Sequence, residues 1–206
     1  PILAPKPDRA AFLPFYEAYF SNFIEGTELD LDDAEAVTYQ GVVLPDQPED
    51  SHDVAATFRL VSDPTDAAHR PSSAEEFSDL LKVRHRELLA ARPDKNPGTF
   101  KRLANRAGIT TFVAPDLVDG TLRAGWEAIS QLADPYQRAI ATMFVVAEVH
   151  PFDDGNGRIA RIMMNAELSA AGHCRIIVPS VYRGEYLSAL SALTNNARPE
   201  ALDLVM

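Results

Sequence analysis

Twelve consecutive residues carry more chemistry than any other part of this chain: His150-Pro151-Phe152-Asp153-Asp154-Gly155-Asn156-Gly157-Arg158-Ile159-Ala160-Arg161. Apolar runs at 140–149 and 159–171 flank the turn, so the pattern predicts a tight connection between two buried helices. A helix that begins there offers free N–H groups and the positive end of its dipole to an anion, and glycines let a phosphate approach the backbone closely. These residues therefore predict a phosphate-handling site.

The composition is typical of a globular protein. The chain has 206 residues, of which 46% are hydrophobic and 24% are charged, which suits one domain or one domain with an appendage. The net charge of −11 disfavours non-specific binding to nucleic acid, although a local basic pocket for a nucleotide remains compatible with it. The single cysteine, Cys174, cannot form an internal disulfide, and we expect it to be a core residue rather than a nucleophile.

Targeting signals are not evident in the sequence. No apolar run approaches the roughly 18 to 20 residues that span a bilayer, and residues 1–10 lack the pattern of a signal peptide. With the lone cysteine, these features predict a cytoplasmic protein without membrane contact. The first residue is not methionine and the chain ends in an apolar run, so we expect it to be part of a longer protein, and a further C-terminal domain and a homodimer both stay open.

Residues 1–72 are predicted to form an N-terminal region. Aromatic residues recur every three or four positions and predict an amphipathic helix at about 9–26 that ends at Gly26. A second helix is expected at 31–40, with acidic residues near its N-terminus. The segment 45–71, rich in Asp, Pro, Ser and His, is interpreted as connecting structure with one short helix, and its His52 and His69 as exposed loop residues.

Residues 73–206 are predicted to form the core domain. Ser73 with Glu76 has the spacing of a capping box and predicts a helix to about residue 91. The apolar residues of this helix that we expect in the core are Leu80, Leu81, Val83, Leu88 and Leu89, and His85 is interpreted as structural. The segment 97–115 changes to β-branched and aromatic residues and predicts a short hairpin or flap.

The rest of the chain predicts helices. Asp119-Gly120 is interpreted as a break before a helix at 122–132, and Asp134-Pro135 as the start of a central helix that reaches Val149. A second central helix should follow the twelve-residue turn, and a further one at 182–195 should bury Leu187, Leu190 and Leu193, before an unfinished helix from about residue 199. The fold class is therefore mainly α with one short β-hairpin.

The twelve-residue turn resembles the signature of the Fic family, H-P-F-x-D/E-G-N-G-R-x-x-R, at every fixed position. The resemblance implies a Fic-type helical domain in which this active-site loop joins the two central helices. It also implies an enzyme that moves AMP from ATP onto a Ser, Thr or Tyr hydroxyl of a target protein, with the flap at about 97–115 pairing with the target as an added strand.

The residue types of the signature suit this chemistry. His150 has an ordinary pKa near 6.5 and is the candidate general base. Asp154 is the hard oxygen ligand that Mg²⁺ prefers, whereas Asp153 occupies a position that varies in the family. Three residues are expected to present backbone N–H groups and one side-chain amide to the phosphates: Gly155, Asn156 and Gly157. Phe152 is expected to pin the loop in the core.

Two arginines and two tyrosines complete the predicted nucleotide site. Arg158 and Arg161 are three positions apart, which on a helix places them on one face, where their forked donors suit a polyphosphate. Tyr182 and Tyr186 could line the adenine side, with core tyrosines as the equal alternative, because Leu187 stands where the family has a second aromatic residue.

A second resemblance lies in the N-terminal region. Ser21-Asn22-Phe23-Ile24-Glu25-Gly26 resembles the inhibitory pattern of the family, S/T-x-x-x-E-G/N. The resemblance implies that Glu25 pairs with Arg161 and so prevents the γ-phosphate of ATP from docking. The alternative interpretation of Glu25 is an ordinary surface residue before a helix-ending glycine.

Other functions stay open on the sequence alone. Some relatives also remove AMP, so a bifunctional enzyme is one alternative. A family member that transfers phosphate or phosphocholine is another, and the intact Gly155-Asn156-Gly157-Arg158 run argues for the nucleotidyl form. A third is a non-catalytic regulatory or binding module in which Glu25 holds the site closed and an absent domain acts.

Overall fold

A computed structural model of the chain describes residues 11–206. The predicted start of the first helix, at about residue 9, lies outside the described residues, as does the segment 1–10 that we compared with signal peptides. In the described part the first helix begins at Leu13 and ends at Ile24. No helix within residues 11–206 is both long enough and apolar enough to cross a membrane.

The described part is mainly helical, as predicted. The α-helices are α1 (Leu13–Ile24), α2 (Leu31–Gln40), α3 (Pro48–Ser62), α4 (Pro64–Ala67), α5 (Ala74–Leu88), α6 (Val118–Ser130), α7 (Pro135–Val149), α8 (Asn156–Ala170), α9 (Arg183–Asn196) and α10 (Glu200–Val205). The strands β1 (Arg106–Ala107) and β2 (Thr110–Thr111) form an antiparallel hairpin, with Arg106 opposite Thr111 and Ala107 opposite Thr110. The predicted flap is confirmed as a hairpin of two short strands.

The central helices are α7 and α8, which pack on each other more extensively than any other described pair. The main core forms where α5, α6 and α9 pack around them, and its fully buried members include Phe77, Leu81, Met143, Val146, Ile159 and Met163. A smaller cluster joins α1, α2 and α3 through Phe15, Leu29, Ala34, Val37 and Val54. The predicted division of the chain at residue 72 stays a prediction.

Several helix starts follow the capping signals in the sequence. The side chain of Ser73 accepts a hydrogen bond from the Glu76 N–H at 3.1 Å and begins α5. Asp134 accepts from the Gln137 N–H at 2.8 Å and begins α7, with Pro135 in the first turn. These caps confirm both predicted starts.

The interpretation of 45–71 as mostly connecting structure was wrong. α3 runs for 15 residues, from Pro48 to Ser62, and His52 lies in it rather than in a loop. The amphipathic pattern was hidden because three of the residues on the buried face are polar, namely Ser51, Asp53 and Thr57. Their burial is compensated by hydrogen bonds: Asp53 accepts from Arg158 of α8 and Thr57 from Asn22 of α1, whereas Ser51 accepts from the Leu44 N–H and donates to the Gln47 carbonyl.

Three further predictions were wrong in detail. Asp119-Gly120 does not break the chain, because α6 already begins at Val118 after a 3₁₀ turn. Val83 is 54% exposed and Leu187 is 42% exposed, so neither belongs to the core. On α9 the buried positions are instead Tyr186 and Ala189.

Leu81 and Val83 lie two positions apart on α5 and provide a matched test of this core. Leu81→Ala should lower the free energy of unfolding by about 2–5 kcal/mol, because it leaves a cavity in a fully buried site. Val83→Ala should change it by less than about 0.5 kcal/mol, since Val83 faces solvent. Urea denaturation of both variants measures the difference, and equal losses would contradict this packing.

Candidate active site

The loop between α7 and α8 is built on two residues with left-handed backbone conformations. His150 has φ 49° and ends α7, its N–H bonding to the Val146 carbonyl at 3.0 Å. Gly155 has φ 72° and lies immediately before α8. A left-handed conformation is strained for a residue other than glycine, so the surroundings must hold His150 in place.

The side chain of Asn156 closes this loop. Its Oδ1 accepts from the Phe152 N–H at 2.8 Å and its Nδ2 donates to the Phe152 carbonyl at 2.9 Å, and the residue is only 2% exposed. The expectation that the Asn156 amide faces phosphates was therefore wrong. Both of its polar atoms are occupied by the backbone, which fixes the shape of the turn.

Phe152 and His85 anchor the loop in the core. The Phe152 ring is fully buried and stacks on the His85 ring at a centroid separation of 3.7 Å, which confirms its pinning role. Burial lowers the pKa of His85 to about 4, so the ring is neutral near pH 7. Its Nδ1 accepts from the Gly98 N–H at 2.8 Å, and its Nε2 therefore donates to the Asp154 carbonyl at 3.1 Å. His85 is structural, as predicted, and links α5 to the signature.

Lys101 and Asn105 tie the base of the flap to the same loop. Lys101, 3% exposed, donates from Nζ to the Val149 carbonyl at 3.2 Å and to Asn105 Oδ1 at 2.6 Å. Asn105 Nδ2 donates to the Phe152 carbonyl at 3.0 Å. Burial lowers the pKa of Lys101 to about 8. These bonds hold the backbone on both sides of His150.

His150 is oriented as a proton acceptor. Its ring stacks on Phe112 from the flap, with centroids 3.7 Å apart, and its Nδ1 lies 3.1 Å from the Ala147 carbonyl. Since a carbonyl oxygen can only accept, Nδ1 carries the proton and Nε2 of the neutral ring keeps a free lone pair. Burial, with a smaller contribution from the Lys101 ammonium, lowers the pKa of His150.

The first turn of α8 offers an anion site with a carboxylate beside it. Backbone N–H groups at 156–158 begin the helix, and no side chain caps them. Asp154 Oδ1 accepts from the Gly155 N–H at 2.6 Å, and the Asp154 side chain is 43% exposed. Within residues 11–206 no group of three His, Cys, Asp or Glu side chains could hold a metal alone. Asp154 is an accessible hard oxygen ligand, of the kind that Mg²⁺ takes together with phosphate oxygens and water.

Arg161 is bound by the N-terminal helix. Its Nη2 lies 2.7 Å from Glu25 Oε1 and 2.8 Å from the Ser21 carbonyl, while its Nε donates to Ser21 Oγ at 3.0 Å. The predicted pair of Glu25 with Arg161 is present. The left-handed Gly26, with φ 101°, follows α1 as expected.

The Glu25 carboxylate also lies directly over Gly157, because a Cβ placed on that glycine would collide with Glu25 Oε1. The Glu25 carboxylate therefore occupies the N-terminal turn of α8, where an anion would bind.

Tyr186 contacts the other side of Arg161, whose Cζ lies 5.8 Å from the ring centroid. At 1% exposure, with its hydroxyl 3.5 Å from the Met143 sulfur, Tyr186 is a core residue that also lines the site, whereas Tyr182 is 55% exposed.

Arg158 has a different set of partners from Arg161. Its Nη1 lies 2.6 Å from Asp53 Oδ2 on α3 and 3.2 Å from Asn22 Oδ1 on α1. Its Nη2 lies 3.7 Å from Asp154 Oδ1. Both arginines of the signature are therefore buried, and each is held by residues of the N-terminal region, Arg161 by the predicted Glu25 and Arg158 by Asp53 and Asn22.

These elements surround a cavity of about 460 Å³, a usual size for a small-molecule site. It is lined by Glu25, Gly157 and Arg161 on one side, by His150 and Phe112 on another, and by Tyr186 and Leu190 of α9. The hairpin borders it, and Asn195 of α9 donates to Thr110 Oγ1 of β2 at 3.2 Å. The predicted base, anion site and flap therefore meet at one cavity.

Sequence reasoning missed four residues of this site: Asn22, Asp53, Lys101 and Asn105. Asp53 lies at helical spacing from Thr57 and Leu60 on the buried face of α3, a pattern that becomes informative only once this segment is known to be a helix. A carboxylate at such a position needs a cationic partner. No comparable pattern marks the other three, whose partners come from distant parts of the chain.

Residues 76–168 match the Fic/DOC family. This part of the chain is a Fic domain. Among curated proteins, the chain is 30% identical over 186 residues to protein adenylyltransferase fic-1 of Caenorhabditis briggsae, an alignment that covers 85% of this chain and 36% of that protein. It is 25% identical over 182 residues to protein adenylyltransferase Fic of Nematostella vectensis, covering 86% of this chain and 42% of the relative. The chain thus spans well under half the length of these relatives.

Solved Fic structures share the fold. A Fic domain containing signaling protein from Bacteroides thetaiotaomicron superposes with a TM-score of 0.79 at 21% identity, over 95% of this chain and 79% of that one. A fragment of Fic-1 from C. elegans superposes with a TM-score of 0.70 at 26% identity, over 91% of this chain and 57% of that one. The predicted Fic-type fold is confirmed.

The buried environment of His150 predicts that the pKa of its ring is lowered. Because burial disfavours the imidazolium, the ring should lose its proton at a lower pH than in the unfolded chain, and the folded midpoint should lie below about 6.5. NMR titration of the His150 ring measures this, with the chain in concentrated urea as the reference. A folded midpoint at or above the unfolded one would contradict the described environment.

Proposed function

We propose that this Fic domain is a protein adenylyltransferase that transfers AMP from ATP to a Ser, Thr or Tyr hydroxyl of a target protein. The observation that carries the proposal is the convergence of His150 and the N-terminal turn of α8 at one cavity below a flap, with the Asp154 carboxylate beside that turn. The names of the curated relatives support the same reaction.

His150 acts as the general base in this proposal. Nε2 accepts the proton of the target hydroxyl while the hydroxyl oxygen attacks the α-phosphorus of ATP. The bond between that phosphorus and its bridging oxygen breaks, and pyrophosphate leaves. The stack on Phe112 and the bond to the Ala147 carbonyl fix the ring plane, so that Nε2 is already directed before the substrate arrives.

The backbone N–H groups of 156–158 and the two arginines stabilise the phosphates as charge moves toward the leaving group. Asp154 would hold Mg²⁺, which neutralises phosphate charge when it is bound with the nucleotide. Tyr186, buried against Arg161, limits the cavity on the α9 side. The target segment binds along the hairpin at 106–111, whose short strands present an edge for an added strand.

Glu25 keeps the domain in an inhibited state. Its carboxylate sits on Gly157 and pairs with Arg161, so it takes both the helix N-terminus and the cation that the terminal phosphates of ATP would use. A fixed carboxylate and a polyphosphate cannot share this position without strong repulsion. Productive ATP binding therefore requires Glu25 to leave.

Glu25→Gly should raise AMP transfer from α-labelled ATP, onto the chain itself or onto lysate proteins, by at least about tenfold. Removing a competing interaction worth about 1.4 kcal/mol is enough for a tenfold increase. Glu28→Gly makes the same change three positions further on, at an exposed site beyond the ion pair, and should leave labelling at the wild-type level. Equal labelling of wild type and Glu25→Gly would rule out inhibition by Glu25.

His150→Ala in the Glu25→Gly background should lower the labelling rate by roughly 10²- to 10⁴-fold, the usual contribution of a general base. Mass spectrometry should find an AMP adduct in the Glu25→Gly reaction and none in the double variant. Labelling that survives the loss of His150 would contradict the proposed base. A phosphate or phosphocholine adduct would instead identify a different transferase.

A further inference from the structure

Asp53 is a fully buried carboxylate in α3, which lies outside the segment 76–168 that matches the Fic/DOC family. Its Oδ2 lies 2.6 Å from Arg158 Nη1 and 2.9 Å from Arg92 Nε. A single oxygen, Asp53 Oδ2, therefore accepts from both Arg158, the first arginine of the signature, and Arg92. Burial of a carboxylate is costly unless it is paired, and here two guanidinium groups provide that pairing.

Further hydrogen bonds fix the orientation of the Arg158 guanidinium. Asn22 Oδ1 accepts from the same Nη1 at 3.2 Å, and the Asn22 amide is itself fixed by bonds to the Ala18 carbonyl at 2.9 Å and Thr57 Oγ1 at 3.0 Å. With Nη1 held on the α3 side, Nη2 faces Asp154 at 3.7 Å. The buried Nε of Arg158 has no hydrogen-bond partner among residues 11–206. The donors of Nη2 thus remain on the side of Asp154 and the anion site.

We propose that Asp53 is a positioning residue for AMP transfer, which directs the free donors of Arg158 toward the phosphates at the N-terminus of α8. The inference rests on the proposed function. It makes α3 a part of the active site that the signature alone does not reveal. Arg92 keeps the Asp53 carboxylate in place from the other side, with further bonds to Glu49 at 2.9 Å and to Asp50 at 2.5 Å.

The test uses the Glu25→Gly chain, α-labelled ATP and Mg²⁺. Asp53→Asn should lower the rate at saturating ATP by about tenfold or more, because a misdirected donor disturbs the alignment of the reacting phosphate. The ATP concentration that gives half the maximal rate should change by less than about threefold, since Arg158 keeps its positive charge. Glu167→Gln, which neutralises another buried carboxylate that pairs with Arg138 and not with Arg158, should leave both quantities within about twofold.

A structural role alone would lower the melting temperature without changing the saturating rate of the folded enzyme. Such a result for Asp53→Asn would overturn the positioning role, as would a loss confined to the half-saturating ATP concentration. If Asp53→Asn does not fold, Asp53→Glu keeps the charge but moves the carboxylate by one methylene, and an unchanged rate for that variant would likewise overturn the role. An inactive Glu25→Gly chain would overturn the proposed function itself, and this inference with it.

Discussion

A line of polar contacts between α1 and α8 is the interaction on which the rest of this structure depends. Glu17 accepts from Asn165 at 2.9 Å, Ser21 accepts from Arg161 at 3.0 Å, and Glu25 lies over Gly157. From one contact to the next, the residue number increases by four on the α1 side and decreases by four on the α8 side. The two helices therefore run antiparallel, with one residue per turn in contact. An apolar seam would tolerate sliding, but these buried hydrogen bonds fix the register that brings Glu25 to the signature.

Polar contacts also explain how a short loop holds His150 in a left-handed conformation. His150 lies between Lys101 and Asn105, which bind the carbonyls around it, and the Asn156 side chain, which closes the turn beyond it. His85 and Phe152 anchor that turn in the apolar core. The site therefore combines a fixed imidazole with a helix N-terminus, and in the proposed function the carboxylate at the end of α1 is the part that must move.

Local signals were sufficient for much of the fold. Capping residues at Ser73 and Asp134 predicted helix starts because their side chains bind N–H groups only three positions away. The hairpin followed from a local change in periodicity. α3 and the role of Asn156 were not predictable, because their polar side chains are satisfied by groups distant in sequence or by backbone atoms whose positions the sequence pattern does not show.

The sequence by itself determined which chemical groups meet in the signature: an imidazole, a carboxylate, glycines at a helix start and two arginines, which must lie close together because they are adjacent in the chain. It also pointed to Glu25 as the partner of Arg161. Tertiary structure alone decided how the arginines are used, since Arg158 and Arg161 are neighbours on α8 yet bind Asp53 and Glu25 from different helices. A buried guanidinium takes its orientation from the acceptors around it, and those acceptors come from more than a hundred positions away along the chain.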